Sequence, residues 1–174
     1  MKYQIFGDKL PIVTLQFEAG ESIYTQSGGM TWMTDNFTME TNMKGGLMKG
    51  LGRMLSGESL FMATYTAKAS GAELTIASSF PGEILPLELN GTQQWISQKS
   101  AFLCATPGVN LSTFVTKARA GFFGGEGFIL QKLDGAGIVF LEIDGTVVEK
   151  NLRPGERLKV DTGNVAAFES SVKY

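Results

Sequence analysis

The 174-residue chain is 43% apolar and 18% charged, the balance of a globular protein and too apolar for a disordered one. Its length suits one domain with a proper core, and a formal net charge of −2 offers no electrostatic footprint for general nucleic-acid binding. The absence of histidine excludes Ser-His-Asp and Cys-His nucleophiles, histidine general bases and imidazole-ligated zinc or iron.

In chain order, Met1-Lys2-Tyr3-Gln4 lacks the charged and then apolar regions of a signal peptide. No uninterrupted apolar run approaches the roughly 18 residues of a membrane span. Near residues 10–33, apolar positions fall before and after Ala19-Gly20-Glu21, which predicts two short strands joined by a tight reversal. Most of the aromatic residues, Trp32, Trp95 and the many Phe among them, are assigned to core packing, because base stacking would need a basic groove beside them. Met30, Met33, Met39, Met43, Met48 and Met54 suit either a core or a pliable contact surface.

The one candidate helix is Gly45 to Leu55. On a helical projection Leu47, Met48, Leu51, Met54 and Leu55 share a sector about 120° wide, with Lys49 and Arg53 opposite. Gly46, Gly50 and Gly52 each weaken such a helix by roughly 1 kcal/mol relative to Ala. Next comes Ser56-Gly57-Glu58-Ser59 and a strand–turn–strand segment from Leu60 to Ile76, with Ser70-Gly71 at the turn.

The pattern then returns. A second turn-centred pair is expected near 82–105, where Leu89, Trp95, Phe102 and Ala105 take the places of Phe17, Ile23, Met30 and Met33. Cys104 lies in the apolar run Ala101 to Ala105 and is expected to be a buried, inert thiol, at home in a reducing cytosol. Lys117-Ala118-Arg119 precedes Phe122-Phe123-Gly124-Gly125-Glu126-Gly127, so basic and then apolar residues recur ahead of a Gly-Glu. Phe128 to Ile143 is a second strand–turn–strand segment, with Asp134-Gly135-Ala136-Gly137 at its turn. A third turn-centred pair is expected near 145–168: Leu152-Arg153-Pro154-Gly155-Glu156-Arg157-Leu158 aligns without gaps on Phe17 to Ile23. The match continues through Gly28 with Gly163, Met30 with Val165 and Met33 with Phe168.

These spacings describe internal duplication. The chain reads as one all-β domain, 1–174, with units near 1–80 and 81–143 and an incomplete third at 144–174. A third Gly-Glu segment would begin near position 190 by the same spacing. An unfinished unit leaves a strand edge that proteins cover or pair in an oligomer.

Duplication also accounts for residues that resemble sites. Gly50-Leu51-Gly52 and Gly135-Ala136-Gly137 lack the third glycine of a dinucleotide fingerprint, and no Gly-Lys-Ser/Thr completes a phosphate loop. Glu58 and Glu126 hold equivalent stations. They read as structural carboxylates accepting backbone N–H bonds, the alternative being an acid–base pair for sugar hydrolysis if about 5–10 Å apart. Asp134, Asp144 and Asp161 read as turn residues, with no Asp-x-Asp-x-Asp-Gly loop to hold calcium.

Met1 to Ile5, Gly20-Glu21-Ser22, Gly28-Gly29-Met30, Leu55 to Phe61, Phe122 to Phe128, Gln131-Lys132-Leu133 and Val160 to Gly163 together resemble the altered-inheritance-of-mitochondria twenty-four family. The likeness runs over essentially the whole chain. It implies duplicated units similar to the small double-stranded β-helix, or barrel-like fold, of the tryptophan RNA-binding attenuation protein, in which oligomers are common. It also implies a link to mitochondrial biogenesis, and it supplies no catalytic residues to carry over. Typical members continue into a further Phe-Gly-Gly-Glu-Gly segment.

The function expected is that of a non-enzymatic scaffold or interaction protein without cofactor or metal, cytoplasmic and homo-oligomeric. Its specific form is peripheral contact with an anionic membrane through Lys44, Lys49, Leu51, Arg53, Met54, Phe122 and Phe123. The alternative is a small-molecule or carbohydrate-binding domain, hydrolytic through Glu58 and Glu126. The Gly57-Glu58 and Gly125-Glu126 pairs read as punctuation of the repeat.

Overall fold

The computed structural model describes residues 1–26, 28–42, 62–115 and 129–173. Thirteen strands are present among them: β1 (Lys2–Phe6), β2 (Ile12–Phe17), β3 (Ser22–Gln26), β4 (Met30–Met33), β5 (Phe37–Asn42), β6 (Met62–Ala67), β7 (Ala72–Ala77), β8 (Gly82–Asn90), β9 (Trp95–Gln98), β10 (Phe102–Ala105), β11 (Val109–Val115), β12 (Ile129–Asp144) and β13 (Ala167–Glu169). Two short 3-10 turns, Lys99–Ala101 and Thr162–Asn164, are the only helical elements among the described residues. The protein is all-β, as expected. Gly45 to Leu55, where a helix is predicted, lies outside the described residues.

One sheet runs β1-β2-β7-β4. The other runs β13-β9-β12-β10-β3-β6-β5, with β8 and β11 also paired to β12. Among the described residues both sheets are open. Strand patterning drives this arrangement: in β2 and β6 alternate residues turn inward, burying Val13, Leu15 and Phe17 on one and Ala63, Tyr65 and Ala67 on the other. β10 is buried on both faces, which explains its unbroken apolar run. Two packed clusters result, one around Leu15, Phe17, Leu74 and Phe140, the other around Tyr24, Phe102, Leu133 and Leu141. Each fully buried large side chain contributes roughly 1.5–3 kcal/mol through burial.

The duplication appears in the pairing register itself. Ile23 faces Tyr65, and Trp95 faces Leu133, a step of 72 residues on one side (23 to 95) and 68 on the other (65 to 133). Phe37 against Ala67 becomes Val109 against Gly135 by the same two steps. Leu15 against Leu74 becomes Leu87 against Val139. β4 on β7 and β10 on β12 break register at the same station, between Met30 and Trp32 and between Phe102 and Cys104. A repeated bulge is a repeated instruction, since a bulge re-aims the strand that carries it.

Three expectations are corrected. β2 and β3 are not paired with each other; β2 lies between β1 and β7, and β3 between β6 and β10. The Gly20 turn, at φ +84°, therefore carries the chain from one sheet to the other. β8 and β9 likewise sit on different halves of β12. Second, no reversal occurs at Asp134 to Gly137. β12 runs through as one 16-residue strand, bent where Gly135 (φ +98°) and Gly137 (φ +148°) adopt backbone that side chains rarely allow. A Cβ on Gly135 would also collide with the Gly108 carbonyl. Third, the segment near 145–161 forms no strand, and regular pairing resumes only at β13. Its turn is nevertheless built: the Arg153 N–H donates to Glu156 Oε2 at 2.9 Å, as the Glu18 N–H donates to Glu21 Oε2 at 2.8 Å.

Candidate interaction surface

Lys44, Lys49, Leu51, Arg53, Met54, Gly57 and Glu58 fall in 43–61, and Phe122, Phe123, Gly125 and Glu126 in 116–128. All lie outside the described residues. What is described is the frame that holds these two stretches. The β5–β6 ladder is paired to its end at Asn42 with Met62, and the β11–β12 ladder to its end at Val115 with Ile129. By the repeat register these are equivalent ladders, so the two basic–apolar stretches connect the same pair of strands in successive units.

Inside the fold, buried polar groups hold the sheets in place. Tyr24 Oη donates to the Val109 carbonyl at 2.9 Å, and its ring stacks on Phe102. Thr25 Oγ1 donates to the Leu103 carbonyl at 2.6 Å. The Glu142 carboxylate, nearly out of water, accepts from the Ser79 N–H at 2.6 Å and from Ser78 Oγ at 3.2 Å. It was not singled out from the sequence, where it is one glutamate in an apolar run. Cys104 is fully buried, and burial pushes its thiol far above the ordinary range, so it carries no nucleophilic thiolate near neutral pH. Ser97 Oγ and Gln131 Oε1 are buried without a hydrogen-bond partner among the described residues, and the two residues face each other across β9 and β12.

The aspartates divide. Asp161 fits its turn assignment, accepting from the Gly163 N–H at 3.1 Å. Asp134 instead lies within β12, ion-paired to Lys132 at 3.0 Å and bonded by Asn110 Nδ2 at 3.1 Å. The Lys132 ammonium first, and Asn110 second, hold its carboxyl below the usual carboxylate range. No group of three potential metal-ligating side chains occurs among the described residues. Nor is any helix there long and apolar enough to cross a membrane.

The outer surface departs further from expectation. Trp32 is 43% exposed on β4, the last strand of its sheet among the described residues, so it is no core residue. Its position at a bulge turns it outward, and nothing in its sequence neighbourhood signals that. Met30 and Met33 pack against the core while Met39 stands exposed on β5, so the methionines divide between core and surface. In the third turn-centred copy, Val148, Leu152, Leu158 and Val160 are all exposed, at 70%, 37%, 51% and 48%. Their counterparts in the first copy, Val13, Phe17, Ile23 and Thr25, are exposed by 2% or less.

The chain matches the family described as Mitochondrial biogenesis AIM24 over residues 3–174. It is 30% identical to the uncharacterized protein M6_Spy0233 of Streptococcus pyogenes serotype M6, covering 95% of this chain and 69% of that protein. The crystal structure of protein SPYM3_0169 from Streptococcus pyogenes superposes with a TM-score of 0.77 at 28% identity, covering 97% of this chain and 76% of the other. With nearly every residue inside the match, the chain belongs to the mitochondrial biogenesis AIM24 family.

Proposed function

We propose that this chain is a non-enzymatic scaffold that makes peripheral contact with an anionic membrane from the cytoplasm, through the connections 43–61 and 116–128. The observation that carries the reading is their equivalence. Both connections join the same pair of strands in successive units, and both carry cations followed by apolar side chains. Lys44, Lys49 and Arg53 each contribute about 1 kcal/mol at an anionic surface, which is marginal alone. Insertion of Leu51, Met54, Phe122 and Phe123 adds apolar burial, and two connections on one rigid frame act as a bivalent contact. The family description names mitochondrial biogenesis, a process centred on membranes, which favours this form of scaffold over a purely soluble one.

Co-sedimentation tests it with vesicles of neutral lipid and of neutral lipid plus phosphatidylserine. Binding is expected only to the anionic vesicles, and it should weaken as salt rises. Lys49→Glu combined with Arg53→Glu should abolish it. Unchanged binding by that variant, or equal binding to neutral vesicles, would overturn the reading.

A further inference from the structure

Contacts between successive units follow a rule of their own. β10, in the second unit, adds to β3 of the first with Cys104 facing Thr25 and Ala105 facing Tyr24. β13, in the third, adds to β9 of the second with Ala167 facing Ser97 and Phe168 facing Ile96. Thr25 and Ser97 are equivalent stations, as are Tyr24 and Ile96; Cys104 and Ala167 also correspond. The second and third units thus each lay the equivalent strand on the preceding unit's turn-exit strand, in one antiparallel register.

The same rule leaves two halves of one joint unused. β4 is the bulged strand of the first unit, equivalent to β10. Its core side is taken by β7, and its other side is a sheet edge among the described residues. The turn-exit strand that would complete it is residues 157–161 of the third unit, equivalent to β3 and β9. That segment follows a correctly formed turn, yet among the described residues it is unpaired, and it carries exposed Leu158 and Val160. The register carries over residue by residue: Trp32 would face Val160, and Met33 would face Lys159. Both members of the central pair are large, apolar and almost half exposed.

We infer that residues 157–161 of a second copy of this chain add to the free edge of β4, so that copies join through the interface already used twice within each molecule. A second copy is the occupant because one chain presents both halves of the joint at once and does not pair them with each other. The pairing supplies the edge with a ladder and covers Trp32 and Val160 together. It does not depend on the membrane reading, and it is tested without lipid.

Two single-cysteine variants, Trp32→Cys and Val160→Cys, are purified separately, mixed and mildly oxidised. The buried Cys104 stays out of the reaction. A covalent dimer is expected in the mixture, well above that formed by either variant alone. Its absence would overturn the proposal, and so would a double variant that closes the disulfide within one chain. Val160→Pro provides an independent arm that spares the folded monomer, because its position is exposed and outside any strand. Sedimentation velocity should show the unmodified chain growing to a dimer or larger assembly as concentration rises and the proline variant remaining monomeric. A chain that stays monomeric throughout, or a proline variant that associates equally well, refutes the joint.

Discussion

Ile23 and Leu158 occupy the same station of the repeat, one fully buried and the other 51% exposed, so truncating each to alanine separates sequence equivalence from structural equivalence. Ile23 faces Tyr65 in the first core cluster. Removing three of its carbons forfeits roughly 2.5 kcal/mol of transfer free energy. The cavity left behind raises the cost to about 3–4 kcal/mol. At about 2–4 °C per kcal/mol for a chain of this size, Ile23→Ala should lower the melting temperature by roughly 6–16 °C. Leu158→Ala, at a site still half in water, should stay within about 0.5 kcal/mol of the parent. Urea denaturation followed by far-UV circular dichroism on dilute protein reads both. A Leu158→Ala cost approaching that of Ile23→Ala would show the third unit packed within the monomer and refute the description of 145–161 given above.

Glycine substitutions should rank by what a Cβ meets. Gly20→Ala has open space around it and costs only the left-handed backbone strain, about 1–2 kcal/mol. Gly135→Ala adds a collision with the Gly108 carbonyl and should cost roughly 2–5 kcal/mol in the same denaturation assay. Asp134, held below its ordinary carboxylate range by Lys132 and Asn110, stabilises the fold above the unfolded pKa. That contribution disappears as pH falls through the depressed folded value, so Asp134→Asn should flatten the acid limb of a melting-temperature profile below about pH 4. Cys104 should resist alkylation in the native protein at neutral pH and react at the rate of global opening, because burial both shields the thiol and keeps it protonated.

The duplication was legible in the sequence because turns and inward-facing apolar residues recur at fixed offsets, and these offsets reappear in the ladders. Sheet membership was not legible. A glycine turn between apolar runs announces a reversal, but it does not say whether the next strand pairs with the last or crosses to another sheet. At Gly20 it crosses. Asp134 to Gly137 misled for a related reason: positive-φ glycines bend a continuous strand as readily as they end one, and only the partners on both sides of β12 decide. Trp32 is an exception to the core assignment of most aromatics, and it sits at a one-residue bulge, which leaves no mark in composition. Of the candidate site, the sequence supplied residue types and their repetition. The structure supplied the equivalence of the strands that carry them.

The third copy shows which part of this repeat is local and which is not. Gly155 at φ +81° and the Glu156 carboxylate on the Arg153 N–H reproduce the Gly20 turn, since everything that turn needs lies within four residues. Extended pairing on either side does not follow. Among the described residues, no strand stands beside Val148 and Leu152 as β7 does beside Val13 and Phe17, and none beside Leu158 and Val160 as β6 does beside Ile23 and Thr25. Lys150 stands where Leu15 is fully buried in the first copy, so even the apolar face is interrupted. A strand is stabilised by partners and burial, and intrinsic preference contributes little once those are missing. Residues 157–161 therefore follow the turn without a paired neighbour among the described residues. A partner bringing the β4 edge would meet a turn already closed, with only the four or five residues after it left to order.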